Sequence, residues 1–348
     1  MVTTLDDTKR QLIGEKLADL KAFQNLIISN DQKLMEACPY QDIRERLQNF
    51  LEDDQKNLGI IETVIVQYGV PADPSTATET FISQSEQMMS GDEFTFYQKL
   101  MHHELMKHSQ AMSGIVIHKA AQKVGADIEV AIGPLNTVNF EGRAHQEQLK
   151  GMLEQVGVRE MTGQDADQGI WARVQDSIAA LSGVFGSVVT QNTDKEDMNI
   201  QTLIRLDHSK ANTIFTEIGG TQDPQKLQEY FGQLYKDLLA HAGAEEEVVY
   251  PNVRSFYGNE NTQELYDEQA EMKRMLDEIK AIDPASTDEF KSKVKQLMDI
   301  VGDHMRQEES TMFAAIDKNC STSQKEQMAT DFKAAKGKLQ REMASAIG

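Results

Sequence analysis

The chain has 348 residues, 35 basic and 56 acidic, and a formal net charge of −21 at pH 7. That length accommodates two domains, each with its own core, while the acidic field opposes binding to nucleic-acid backbones and anionic membrane surfaces. Its two cysteines, Cys38 and Cys320, stand in no ligand-like spacing, which excludes a disulfide framework or a thiolate zinc site and suits a reducing compartment.

An apolar run of 18 residues is absent, and residues 1–21 mix charged with apolar residues. Neither a spanning helix nor a secretory signal is therefore expected, and the expected location is the cytoplasm. Many Glu, Gln, Lys, Leu and Ala residues, with 17 methionines and seven prolines placed mostly at breaks in the apolar pattern, point to an all-α fold.

Apolar residues spaced i, i+3, i+4, i+7 predict helices over about residues 8–36, 41–69, 92–124 and 127–156. Tyr68-Gly69-Val70-Pro71 stops the second helix, Gly125 the third and Gly157 the fourth, and Pro134 kinks the fourth or moves its start. Trp171, Val174, Ile178, Leu181 and Phe185 form one stripe and predict a connecting helix, which ends at the polar break Gln191-Asn192-Thr193-Asp194. A second set follows at about 199–218, 224–249 extended to about 257, 261–281 and 286–316. The tail opens on a capping box, Ser323-Gln324-Lys325-Glu326, and carries Met328, Phe332, Ala335, Leu339 and Met343 on one face.

The predicted architecture is thus two tandem four-helix bundles, residues 1–160 and 195–320. A connecting helix and linker at 161–194 joins them, and a C-terminal amphipathic helix occupies 321–348. That last helix needs a surface to cover, and a homo-oligomer formed through it would supply one.

In the second set, the core stripe of each helix is interrupted by a polar residue with ligating atoms. The stripes read Ile204, His208, Ala211, Phe215; then Leu238, His241, Glu245, Val248; then Leu265, Gln269, Met272; then Val301, His304, Glu308, Thr311. Four residues turn a helix through about 400°, so His241 with Glu245, and His304 with Glu308, project from one face a turn apart. A lone histidine in such a stripe usually belongs to a hydrogen-bonded core. Three imidazoles and two buried carboxylates, with no Lys or Arg at matching stripe positions, call for a cation. Imidazole plus carboxylate suits iron first, with manganese or zinc as alternatives, and two bridging carboxylates suit a dinuclear centre.

These strings resemble the hemerythrin-like HHE cation-binding domains: Leu206-Asp207-His208, His241-Ala242-Gly243-Ala244-Glu245-Glu246 before Val248-Val249-Tyr250-Pro251, and His304-Met305-Arg306-Gln307-Glu308-Glu309 before Met312-Phe313. The resemblance covers about residues 198–318. It implies a four-helix bundle with a carboxylate-bridged di-iron centre that binds dioxygen, nitric oxide or peroxide, or senses iron. It further implies that Glu245 and Glu308 bridge, that His208 and His241 hold one iron, and that His304 holds the other. Where the family commonly offers a histidine after a glutamate, this chain has Glu268-Gln269, and an amide oxygen is a weaker ligand.

The first set yields a candidate second metal site of Asp19, Asp54, Glu104, His108, Glu141 and His145. Its two Glu-x-x-x-His pairs resemble ferritin-like carboxylate bundles only weakly, because those use a spacing of three. The same groups would equally serve as buried ion pairs without a metal. Three functions compete: a di-iron protein that binds or senses small ligands, a di-iron oxidase or oxygenase, and a helical interaction protein with vestigial sites. No catalytic residue can be named from the sequence.

Overall fold

The computed structural model describes residues 7–166 and 199–345, so the predicted connecting helix at 168–189 lies outside the described residues. Regular structure among the described residues is entirely helical: α1 (Asp7–Ala37), α2 (Gln41–Tyr68), α3 (Thr76–Ser90), α4 (Phe96–Val124), α5 (Ala126–Ile132), α6 (Leu135–Thr162), α7 (Ile200–Gly220), α8 (Pro224–Ala244), α9 (Tyr250–Tyr257), α10 (Asn259–Lys280), α11 (Thr287–Gln307), α12 (Phe313–Asn319) and α13 (Thr322–Ser345). None of these helices is long and apolar enough to cross a membrane.

Local chemistry sets the ends. Gly69 adopts φ 78°, the left-handed region that glycine enters without strain, and its N–H closes α2 on the Ile65 carbonyl. Pro134 stands at the N-cap of α6, so it starts that helix rather than kinking it. The helix at Thr76–Ser90 was not foreseen; Ser75 caps it, accepting from the Thr78 N–H. The cap of α13 is Ser321 with Gln324, two residues before the predicted box.

Helices α1, α2, α4 and α6 pack as one bundle and α7, α8, α10 and α11 as another, with α5 between the first bundle and α7. The second bundle holds two apolar clusters and the first holds two large ones with a small third of Leu26, Ile27 and Met106. In the first, Leu34, Leu47, Phe50, Leu100 and Leu149 lie toward one end, and Leu17, Ile61, Val64, Ile117 and Ile132 toward the other. In the second, Leu203, Tyr250, Leu265 and Phe313 are separated from Ile214, Leu234, Leu276 and Leu297. A buried polar layer lies between the apolar clusters of both bundles, with Lys107 among its acids in the first and imidazoles around two glutamates in the second. The apolar side of α13 is satisfied within the chain: Met328, Phe332 and Ala335 pack into the core around Tyr250.

Candidate metal centre

In the second bundle, His241 and His304 each lie in the last turn of an α-helix, and each is followed four residues later by a glutamate that opens a single π turn, Glu245–Val249 or Glu308–Met312. In a uniform α-helix, a residue five positions on lies about 140° around the axis. The π turn, closed by the Tyr250 N–H on the Glu245 carbonyl, returns Tyr250 to the inner face. There its hydroxyl lies 2.9 Å from Glu308 Oε1, 3.3 Å from Glu245 Oε2 and 3.3 Å from His304 Nε2. α-periodicity gave no signal for Tyr250, because the extra residue of the π turn breaks the count.

His208, His241, Glu245 and Glu308 each place one ligating atom within 4.8 Å of the others, and all four are buried. His304 Nε2 joins them 3.4 Å from Glu308 Oε1. Gln269 is fully buried, and its amide donates to Glu245 Oε2 at 2.7 Å and to the Tyr250 hydroxyl at 2.6 Å. The structure therefore brings together all six residues singled out here: His208, His241, Glu245, Gln269, His304 and Glu308.

Yet His208 Nε2, His241 Nε2, Glu245 Oε1, Gln269 Oε1 and Glu308 Oε2 have no hydrogen-bond partner. His208 Nε2 and Glu308 Oε2 lie 3.3 Å apart, close enough for charge attraction but outside hydrogen-bond geometry. Unsatisfied buried polar atoms each cost about 1–3 kcal/mol, and five at one level of a bundle are what a cation between them would satisfy. Donor set and geometry fit a metal.

Each imidazole is held from behind. His208 Nδ1 lies 2.7 Å from Glu309 Oε1, His241 Nδ1 is 2.9 Å from Asp207 Oδ2, and His304 Nδ1 is 2.7 Å from Glu268 Oε2. A carboxylate on Nδ1 fixes the tautomer that offers Nε2 to the centre. Glu268 is thus the support of His304 and does not enter the layer. Asp207 also takes the ammonium of Lys336 from α13, and Lys210 Nζ pairs with Asp237 at 2.8 Å. The domain does hold buried lysines, then, but neither neutralises Glu245 or Glu308.

Burial, then the charge of Glu308, pushes the Glu245 carboxyl up to about 7. Burial alone would lower His208, but its contacts with Glu308 and Glu309 outweigh that and raise it to about 9. Burial would raise Glu308, yet the charges and contacts of His304 and His208 hold it well below the carboxylate range. For Asp207 too, Lys336 and His241 overcome the burial penalty and hold the carboxyl low.

Between pH 4.5 and about 7 the folded chain retains a proton on Glu245 that the unfolded chain has lost. The His208 contribution is complete below pH 6.5 and disappears as pH rises through about 9. Metal-free protein should therefore lose stability from about pH 5 to 9, on the order of 3 kcal/mol per group. Metal affinity should rise over the same range, because binding expels those protons. Thermal melts at pH 5.5 and 9, with and without ferrous iron, check both; a metal-free melting temperature that rises with pH would contradict the assignment.

The six candidate residues of the first bundle are not gathered. α4 turns Leu100, His103, Lys107, Gln110 and Gly114 inward, whereas Glu104 and His108 lie on its outer side and both bond Gln146. Asp19 accepts from the Ser75 N–H at 2.7 Å and supports the start of α3. Glu141 sits at the rim, its carboxyl pushed up by burial and then by Asp53.

Asp54 and His145 do meet, but around Lys107, whose ammonium pairs with Asp54 and lies 3.1 Å from His145 Nδ1. His103 is fully buried against Asp31 at 2.8 Å. This layer contains a cation of its own in Lys107, although Asn30 Oδ1, both Asp31 oxygens and both His103 ring nitrogens have no hydrogen-bond partner.

Residues 199–316 match the hemerythrin HHE cation binding domain. Over 343 residues the chain is 64% identical to a protein of Nostoc sp. (strain PCC 7120) named DNA nickase, covering 99% of this chain and 97% of that one. No solved structure matches it.

Proposed function

This chain belongs to the family of the Nostoc protein named DNA nickase, and from that premise we propose two activities housed in different parts of it. The first is a di-iron centre in the C-terminal bundle that binds dioxygen, nitric oxide or peroxide. The observation that carries it is the layer of five unpartnered ligating atoms on His208, His241, Glu245, Gln269 and Glu308. Glu245 and Glu308 would hold the two ions between them, with His208 and His241 on one and His304 and Gln269 on the other. When bound, iron supplies an electron-accepting, redox-active site for one small molecule.

The protein contributes orientation and enclosure. Glu309, Asp207 and Glu268 hold the three rings, and the Tyr250 phenol, kept protonated by burial and the two carboxylates, donates a hydrogen bond into the layer. A cleft of 440 Å³ lined by Arg205, His208, Ser209, Asn212, Thr213 and Glu309 reaches the edge of the centre. Its polar walls suit a small polar molecule better than the apolar substrate of an oxygenase.

The second activity is single-strand cleavage of DNA, favoured by the identity with the nickase across nearly the whole of both chains. The three histidines are no more than 5% exposed and the two glutamates fully buried, so a DNA strand cannot touch the metal layer. Cleavage would belong to another surface, and that surface would have to overcome the repulsion of a −21 chain.

Two assays on the full chain test the pair. Metal analysis after anaerobic loading should give two irons per chain, with absorption that changes on adding oxygen or azide; less than one iron removes the first activity. Supercoiled plasmid should be converted to open circle by the parent and by Glu308→Ala alike. Intact plasmid with both removes the second activity, and nicking by the parent alone would tie the cleavage to the metal layer.

A further inference from the structure

The three supports behind the imidazoles differ in what lies beyond them. The side chains of Glu309 and Glu268 are 38% and 27% exposed, so water completes their solvation. Asp207 is 6% exposed and needs a buried cation. No helix of the matched region, residues 199–316, provides it. The cation is Lys336, 2% exposed, on α13 (Thr322–Ser345) beyond that region.

α13 reaches the same histidine a second way, because the Phe332 ring, one turn earlier, stands edge-on to the His241 ring at 5.9 Å. Its other side leans on the first bundle, where the Gln340 amide donates to the Val66 carbonyl at 2.8 Å.

We propose that Lys336 is a positioning residue for the metal ligand His241, acting through Asp207, and that α13 is thereby part of the metal centre. The inference rests on the reading that the second bundle holds iron. The Asp207 carboxylate has two oxygens: Oδ2 takes the His241 Nδ1–H and Oδ1 takes the Lys336 ammonium. Held at both oxygens the carboxylate cannot rotate, and the His241 ring is fixed with Nε2 toward the layer. With an apolar side chain at 336, Oδ1 loses its partner, the carboxylate turns, and the ring is restrained only by its edge contacts with Phe332 and His208.

The test uses the full chain as parent, Lys336→Met, Lys336→Arg and the double variant Lys336→Met with Asp207→Asn, each loaded with ferrous iron and challenged with a chelator. Lys336→Met should release iron at least about tenfold faster than the parent, and Lys336→Arg should restore most of the retention. The azide-induced absorption of Lys336→Met should also shift, which a change confined to packing would not produce.

The double variant removes both charges, so it keeps the fold where the single variant does not, and it should still release iron rapidly. Release at the parent's rate from folded Lys336→Met, or from the folded double variant, overturns the inference, as does a failure of Lys336→Arg to restore retention. A parent that takes up no iron overturns the metal reading and the inference together.

Discussion

Glu308→Ala should abolish iron binding by the C-terminal bundle and with it the whole stabilisation that iron confers. Glu308 is fully buried and lies between two histidines, His208 Nε2 at 3.3 Å and His304 Nε2 at 3.4 Å, while Tyr250 donates to it at 2.9 Å. Removing it deletes the carboxylate that lies against both His208 and His304. At free iron one hundred times its dissociation constant the parent gains about 2.7 kcal/mol, and the variant should gain none. Melting temperatures with and without ferrous iron, alongside metal stoichiometry, measure this. Glu309→Ala is the control: that residue is partly exposed and supports His208 from outside, so the variant should bind iron more weakly but still bind. A Glu308→Ala chain with two irons and an undiminished melting shift would refute the assignment.

Lys107→Met should be the most destabilising single change in the first bundle, at about 3–5 kcal/mol. Asp54 is held well below the usual carboxylate range because Lys107 and His145 overcome the penalty of its burial. Burial pushes Asp31 up, against the pull of His103 and Lys107. Without the ammonium, two acidic groups remain in a dry interior with only imidazoles to balance them. Adding Asp54→Asn to Lys107→Met should recover most of the loss, since removing both partners of a buried pair costs far less than removing one. Urea midpoints of the parent, the single and the double variant decide it; a double variant no better than the single would mean that Lys107 contributes packing and not charge.

Helix positions and the metal lane were legible in the sequence because both are local. A repeat of 3.6 residues marks α7, α8, α10 and α11, and a histidine and a glutamate four apart must share a face whatever the helix packs against. Gln269 fell in the same lane by the same count, and the structure buries it beside Glu245.

The register of α4 could not be read this way. Met101, Leu105, Met112 and Val116 are exposed on it, while His103, Lys107 and Gln110 are buried, so its apolar residues do not mark its inner face. One residue of offset turns a helix by about 100°, which is enough to exchange His108 for Lys107 at the core and a metal ligand for a counter-ion.

Tyr250 escaped because a π turn breaks the α count, and Lys336 because it meets Asp207 across 129 positions of chain. The sequence by itself determined which residues can ligate and which helix faces they share, because those follow from spacing along one axis. Only the tertiary structure decided which polar layer already contains a lysine cation and which sets two buried glutamates among three imidazoles without one, because charge compensation in a dry interior depends on side chains that distant helices bring to the same level.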